Sequence, residues 1–142
     1  MRIIIDYDST PRAQRKVCEA ISKEYQIPVE GISGLAADDA HYAEDRKAQI
    51  NEILTLDDIF VTDDYDLAQD LLDRALSILS PKGIVICSAN IESLLYERFL
   101  KSKHPEKPLS QEAASRRHHD EIERFTTILL DLIAPLNTEN YQ

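Results

Sequence analysis

Carboxylates stand directly after two of the most apolar runs in this 142-residue chain. Ile3-Ile4-Ile5 leads into Asp6-Tyr7-Asp8, and Ile59-Phe60-Val61-Thr62 leads into Asp63-Asp64. Short β-branched runs bounded by acids and turn residues read as strands buried on both faces, the form taken by central strands of a parallel sheet. The last residues of such strands emerge at one edge of the sheet, where open α/β folds bind ligands. Asp6 and Asp8, two apart, point to the same side as long as the chain stays extended. If the two strands are neighbours, Asp6, Asp8 and Asp64 converge. Three close carboxylates either share protons or gather a cation, and an all-oxygen cluster suits Mg²⁺ or Mn²⁺ rather than zinc. Such a site can activate a water and stabilise the leaving oxygen of a phosphodiester. Asp64 also has a structural reading, as the N-cap of a helix beginning at Tyr65, with Asp66 complementing the helix dipole. Asp63 and Asp66 read as solvated.

A second group of residues carries the opposite charge. The chain has a formal net charge of −10, which argues against strong non-specific binding to nucleic acid, because phosphate contacts need Lys and Arg. Residues 98–119 depart from that average. Arg98, Lys101, Lys103, Lys107, Arg116 and Arg117 stand there against Glu106 and Glu112 alone, with His104, His118 and His119 beside them. This stretch is either a solvated, partly mobile loop or a phosphate-facing patch. Cys18 and Cys87 are far apart, with no CxxC or spaced His partner, and read as reduced, packed thiols. His118 and His119 read as solvent-facing. With only Gly31, Gly34 and Gly83, no Gly-rich phosphate loop can be built.

The elements that must position these residues alternate between strand and helix. After the first strand, Ser9-Thr10-Pro11 has the form of an N-cap followed by Pro at the first helical position, and the helix runs to about Tyr25. A weaker strand, Ile27 to Ser33, is interrupted by Glu30 and Gly31. Leu35 to Asp45 reads as a loop running into a helix that ends near Leu54. The strand Asp58 to Thr62 is followed by a helix through Leu67, Leu71 and Ala75, a short strand at Ile78-Leu79, a turn at Pro81-Lys82-Gly83 and a strand over Ile84 to Cys87. A helix from Ile91 to about Lys101, the basic stretch, and a C-terminal helix over 120–134 ending at Pro135 complete the chain. The last helix sets Ile122, Phe125, Leu129, Leu132 and Ile133 on one face. This alternation predicts one domain over 1–142, a three-layer α/β/α sandwich with a mainly parallel sheet. The absence of a leader pattern and of a membrane-length apolar run makes the cytoplasm the expected location.

Several segments together resemble the YaiI/YqxD family of uncharacterised bacterial proteins, whose fold is PIN-like. They are Ile3 to Pro11, Val61-Thr62-Asp63-Asp64-Tyr65-Asp66-Leu67-Ala68, Leu79-Ser80-Pro81-Lys82-Gly83, Asn90-Ile91 and Lys107-Pro108-Leu109-Ser110. The resemblance implies that Asp6, Asp8 and Asp64 correspond to the acids of a PIN-like nuclease site, with Thr62 beside them to orient a carboxylate or water. The family's acid before the third strand has no clear counterpart, leaving Asp38, Asp39, Glu44 and Asp45 as candidates for a fourth ligand. Its Ser-x-x-Asp-Arg pattern is also absent at the expected place, where Ala113 and Ala114 stand, so that either a short insertion has moved the pair to the Asp120 to Arg124 region or this member has lost it.

Three functions are therefore to be weighed. The first is a Mg²⁺- or Mn²⁺-dependent nuclease acting on single-stranded RNA or DNA, with Asp6, Asp8, Asp64 and Thr62 at the reacting centre and Lys101, Lys107, Ser110, Arg116 and Arg117 toward the substrate. The second follows from Ile3-Ile4-Ile5-Asp6-Tyr7-Asp8-Ser9-Thr10, which also matches the hhhDxDxT motif of haloacid-dehalogenase-like phosphatases, with Asp6 as nucleophile. The third is a non-catalytic module that binds RNA or a protein.

Overall fold

Ile3, Ile4 and Ile5 are all fully buried, because their strand has a neighbour on each side and helices over both faces. The computed structural model describes residues 1–33 and 40–140. In chain order the elements are β1 (Arg2–Asp6), α1 (Arg12–Tyr25), β2 (Val29–Ile32), α2 (Ala40–Ile53), β3 (Asp58–Val61), α3 (Tyr65–Leu71), β4 (Ser77–Leu79), β5 (Val85–Ile86), α4 (Ile91–Lys103) and α5 (Gln111–Asn140). The sheet has the order β2-β1-β3-β4-β5. The first four strands are parallel and β5 runs antiparallel to β4. β5 reverses because the turn at Pro81-Lys82-Gly83 is too short for a parallel crossover. Gly83 takes a φ of 83° there, and its amide donates to the Ser80 carbonyl at 2.9 Å.

Strand alternation sorts the core into two layers. Ile4, Phe60, Ile78 and Ile86 face one way and pack with Ile50 of α2, Leu67, Ala68 and Leu71 of α3, and Ile91 and Leu94 of α4. Ile3, Ile5, Ile59, Val61 and Leu79 face the other way, against Cys18 and Ile21 of α1 and Phe125, Leu129 and Ile133 of α5. The result is the expected three-layer α/β/α sandwich. Phe125, Leu129 and Ile133, each four residues apart, form the stripe by which α5 rides on the sheet.

Two expectations are corrected. Ser9 and Thr10 do not cap α1. Pro11 itself occupies the cap position in extended backbone, with no side-chain cap, and Ser9 is used elsewhere. Residues 98–119 are not one loop either. Residues 98–103 finish α4, and α5 begins at Gln111 rather than near residue 120. Ser110 starts that helix. Its Oγ accepts from the Ala113 amide at 3.2 Å and its carbonyl accepts from the Ala114 amide at 2.9 Å. The helix also continues past Pro135 to Asn140, although an interior proline removes one hydrogen bond and crowds the preceding turn. Among the described residues no helix is long and apolar enough to cross a membrane.

Candidate functional site

Helices α1 and α3, which follow the neighbouring strands β1 and β3, leave on opposite faces of the sheet. That divergence opens a crevice at the carboxyl ends of the two strands, the topological switch point where sheets of this order bind ligands. Ile5 is paired with Val61, so the next residues, Asp6 and Thr62, stand side by side at the crevice. Both are fully buried. Thr62 Oγ1 donates to Asp6 Oδ2 at 2.8 Å, and Ser9 Oγ donates to the same oxygen at 2.8 Å. Each hydroxyl also accepts a backbone amide. Asp63 N–H donates to Ser9 Oγ at 2.9 Å and Asp64 N–H to Thr62 Oγ1 at 3.1 Å. The two hydroxyls thus bind the turn after β1 to the loop after β3, with the Asp6 carboxylate as their common acceptor.

The three acids expected to converge stand in different environments. The chain bends directly after Asp6, with the Ser9 amide 3.3 Å from the Asp6 carbonyl. The chain is therefore no longer extended at Asp8, which is exposed. Asp64 realises its structural reading, since its Oδ1 accepts the Leu67 amide at 3.1 Å and caps α3. Among the described residues no three His, Cys, Asp or Glu side chains are grouped so as to hold a metal ion. The donors present do not fit a Mg²⁺ or Mn²⁺ centre built on Asp6, Asp8 and Asp64. Of the proposed fourth ligands, Asp38 and Asp39 lie outside the described residues, as do the side chains of Glu44 and Asp45.

A cleft of about 720 Å³ opens next to this edge, between α4, α5 and the β4–β5 turn. Its walls carry Lys82, Arg98, Lys101, Arg116, Arg117 and Arg124, against Glu97, Asp120 and Glu121. Tyr65, Ile84, Leu94, Leu109 and Ala113 supply its apolar lining. The Arg98 guanidinium lies 3.9 Å over the Tyr65 ring and donates to the Asp63 carbonyl at 2.6 Å and to Asp63 Oδ1 at 3.3 Å. Asp63, expected to be solvated, therefore ties the cleft to the Ser9–Asp6 network. Burial raises the Tyr65 hydroxyl above its ordinary pKa, and the Asp63 charge adds to the rise while Arg98 opposes it. Arg117 pairs with Glu121 at 3.6 Å, and Arg124 donates to the Lys82 carbonyl at 3.3 Å. Among the described residues Lys101 and Arg116 are in no ion pair.

Of the residues placed toward a substrate from sequence, Lys101, Arg116 and Arg117 line the cleft. Lys107 is exposed on the connection before α5 and is not part of the lining, and Ser110 is taken up as the α5 cap. Sequence reasoning missed Lys82, and reached Arg124 only as the end of the region to which an insertion would have moved the family's Asp-Arg pair. The signal for Arg124 was present, because Ala113, Arg116, Arg117, Asp120, Glu121 and Arg124 follow one another at helical spacing once the helix is started at Ser110. Lys82 reaches the cleft because a hairpin turn, and not a crossover, carries it.

The remaining sequence candidates have structural roles or none. Burial pushes the Cys18 thiol up to about 12, with the Glu19 charge a lesser cause, and Cys87 is half-buried. His118 and His119 are exposed, and His119 Nε2 lies 3.1 Å from Glu123 Oε1. An acid that the sequence did not single out is held at the opposite end of the sheet. There Arg2 Nε and Nη2 donate to the buried Asp58 carboxylate at 3.0 and 2.8 Å.

Known proteins share this arrangement of segments. The family described as "Uncharacterized BCR, YaiI/YqxD family" matches residues 4–135. A UPF0178 protein of Heliobacterium modesticaldum is 27% identical over 145 residues, covering 96% of this chain and 99% of its own. One from Natranaerobius thermophilus is 24% identical over 148 residues, covering 97% and 99%. One from Staphylococcus epidermidis is 37% identical over 78 residues, covering 55% and 51%. No solved structure matches. With the family pattern running from the second isoleucine of β1 through the core face of α5, the chain belongs to the YaiI/YqxD family.

Proposed function

We propose that this protein binds single-stranded RNA or DNA by its phosphates along the cleft between α4 and α5. One observation carries the reading. Among the described residues, six cations from three separate segments, the β4–β5 turn, α4 and α5, outnumber three acids in the lining of a single cleft in a chain of net charge −10. Gathering like charges costs free energy that a polyanion offsets, and it also supplies the counterion release that dominates nucleic-acid affinity. From Ala113 to Arg124 the α5 wall extends about 16 Å at 1.5 Å per residue, enough for several phosphates of one strand. Among the described residues Tyr65 is the only aromatic in the lining, and Arg98 already covers its ring. Stacking on bases is therefore minor here, and binding is led by phosphate with weak sequence preference.

Phosphodiester hydrolysis assisted by Mg²⁺ or Mn²⁺ is the second reading. It is favoured by the position of Asp6 and Asp64 at the switch point, with Asp64 next in sequence to the cleft residue Tyr65. The described donors do not complete such a centre, so the geometry supports binding better than cleavage. A phosphatase nucleophile at Asp6 has less support, because that carboxylate is buried with one oxygen accepting two hydroxyls, while Asp8 faces solvent.

Fluorescence anisotropy with a labelled single-stranded RNA, followed across a salt series, tests the proposal. Wild-type protein should bind at low salt, and Lys101→Ala/Arg116→Ala should flatten the slope of log K against log salt by about 1.4, two contacts at ~0.7 each. No binding at low salt, or an unchanged slope in the variant, would sink it. Cleavage of the RNA in Mn²⁺ that is lost in Asp6→Asn would instead establish the hydrolytic reading.

A further inference from the structure

The α4 helix turns a second, unpartnered face to solvent. Leu94, Glu97, Arg98 and Lys101 point toward the cleft. On the opposite side of the helix Tyr96, Phe99 and Leu100 are 62%, 55% and 39% exposed. Their i, i+3, i+4 spacing makes them one stripe. The stripe is closed at its ends by opposite charges. Glu92 lies one turn before Tyr96 and Lys103 one turn after Phe99, and the Lys103 ammonium is 5.7 Å from the Phe99 ring centroid.

We infer that this stripe is a self-association surface on which α4 packs antiparallel against α4 of a second copy of the chain. The argument is register. Glu92 and Tyr96 stand as far before the midpoint between Glu97 and Arg98 as Lys103 and Phe99 stand beyond it. A two-fold axis through that midpoint sets Glu92 against Lys103 of the second copy and Tyr96 against Phe99 of the second copy, and repeats both pairings in reverse. One axis satisfies all four contacts, as an isologous interface requires. A parallel pair would instead set Glu92 on Glu92 and Lys103 on Lys103. The charges of Glu92 and Lys103 also favour their own helix dipole, but that role does not account for two exposed aromatic rings between them. The cleft lies on the far side of α4, so the dimer leaves both clefts open, back to back.

A single helix pair buries well below the roughly 1,600 Å² of a standard interface, so an affinity in the micromolar range is expected. Sedimentation velocity of the full chain from about 5 to 200 µM spans that range. Wild-type protein should shift from monomer to dimer across it, while Phe99→Asp and Tyr96→Asp stay monomeric with unchanged circular dichroism. Glu92→Lys and Lys103→Glu should each weaken the dimer about fivefold or more, the equivalent of ~1 kcal/mol for the two symmetry-related charge pairs lost. The double variant Glu92→Lys/Lys103→Glu should restore the dimer, because the swap regenerates the same pairs across the axis. A wild-type chain that stays monomeric, a Phe99→Asp chain that dimerises normally, or a double swap no better than the singles would overturn the inference.

Discussion

Replacing Thr62 by valine removes one hydroxyl and changes little else, because the two side chains are nearly isosteric. That hydroxyl donates to Asp6 Oδ2 at 2.8 Å and accepts the Asp64 amide at 3.1 Å, and the residue is fully buried. A hydrogen bond to a charged group contributes about 1.5–3 kcal/mol, and a neutral one about 1 kcal/mol. Asp64 is half-buried, so water can replace part of the second bond but little of the first. The expected loss for Thr62→Val is about 2–4 kcal/mol, a large share of the ~5–15 kcal/mol typical of a folded domain. Urea unfolding should show a lower midpoint with an unchanged slope. Ser9→Ala removes the other donor to the same oxygen, at 2.8 Å, so the double variant should lose more than the two singles together. A Thr62→Val protein within about 0.5 kcal/mol of wild type, the range of a surface substitution, would refute the claim that the hydroxyl network holds the two loops together. Strict additivity with Ser9→Ala would refute the shared acceptor.

Two further outcomes follow from the structure. Burial pushes the Asp58 carboxyl up, but the Arg2 guanidinium, with the Thr55 amide and hydroxyl, outweighs it and holds the group below its ordinary value. A carboxyl depressed on folding contributes stability that is full above its unfolded pKa of about 4 and is lost as pH falls through the folded value. The melting-temperature advantage of wild type over Asp58→Asn should therefore be present at neutral pH and shrink in acid, and an advantage independent of pH would contradict the ion pair with Arg2. The buried Cys18 thiol, raised to about 12, should stay unreactive toward a disulfide reagent near pH 8 until the protein unfolds, while half-buried Cys87 reacts in the native state. Two thiols reacting at one rate would contradict the packing of α1 on the sheet.

Elements that bury apolar residues at a clear period were legible from sequence, and those set by a single polar side chain were not. The runs at Ile3 to Ile5 and Ile59 to Val61 could only be central strands, and they are. The start of α5 hung on Ser110, whose hydroxyl caps the helix. The first turns of that helix are exposed and charged, so no apolar period announced them. Asp6 was correctly placed at the strand edge, but the convergence with Asp8 assumed an extended chain. The bond from the Ser9 amide to the Asp6 carbonyl shows where that assumption fails. Nothing local in Ser9 signals that its hydroxyl will serve Asp6 and Asp63, from two strands, instead of capping α1. Partners brought together from 50 residues apart are a property of the sheet order, which periodicity does not determine.

If the cleft takes a nucleic-acid strand as proposed, the net charge of −10 and the basic cleft answer the same physical requirement. A uniformly basic chain would hold polyanions anywhere on its surface, whereas an acidic chain repels them except where the sign is locally reversed. Here six basic side chains line one cleft, with Lys101 and Arg116 unpaired among the described residues while Arg98 is held by Asp63. Fields of this kind favour approach in one orientation and disfavour adventitious contacts elsewhere. Under the proposed reading the exposed carboxylates would contribute to selectivity without touching the bound strand.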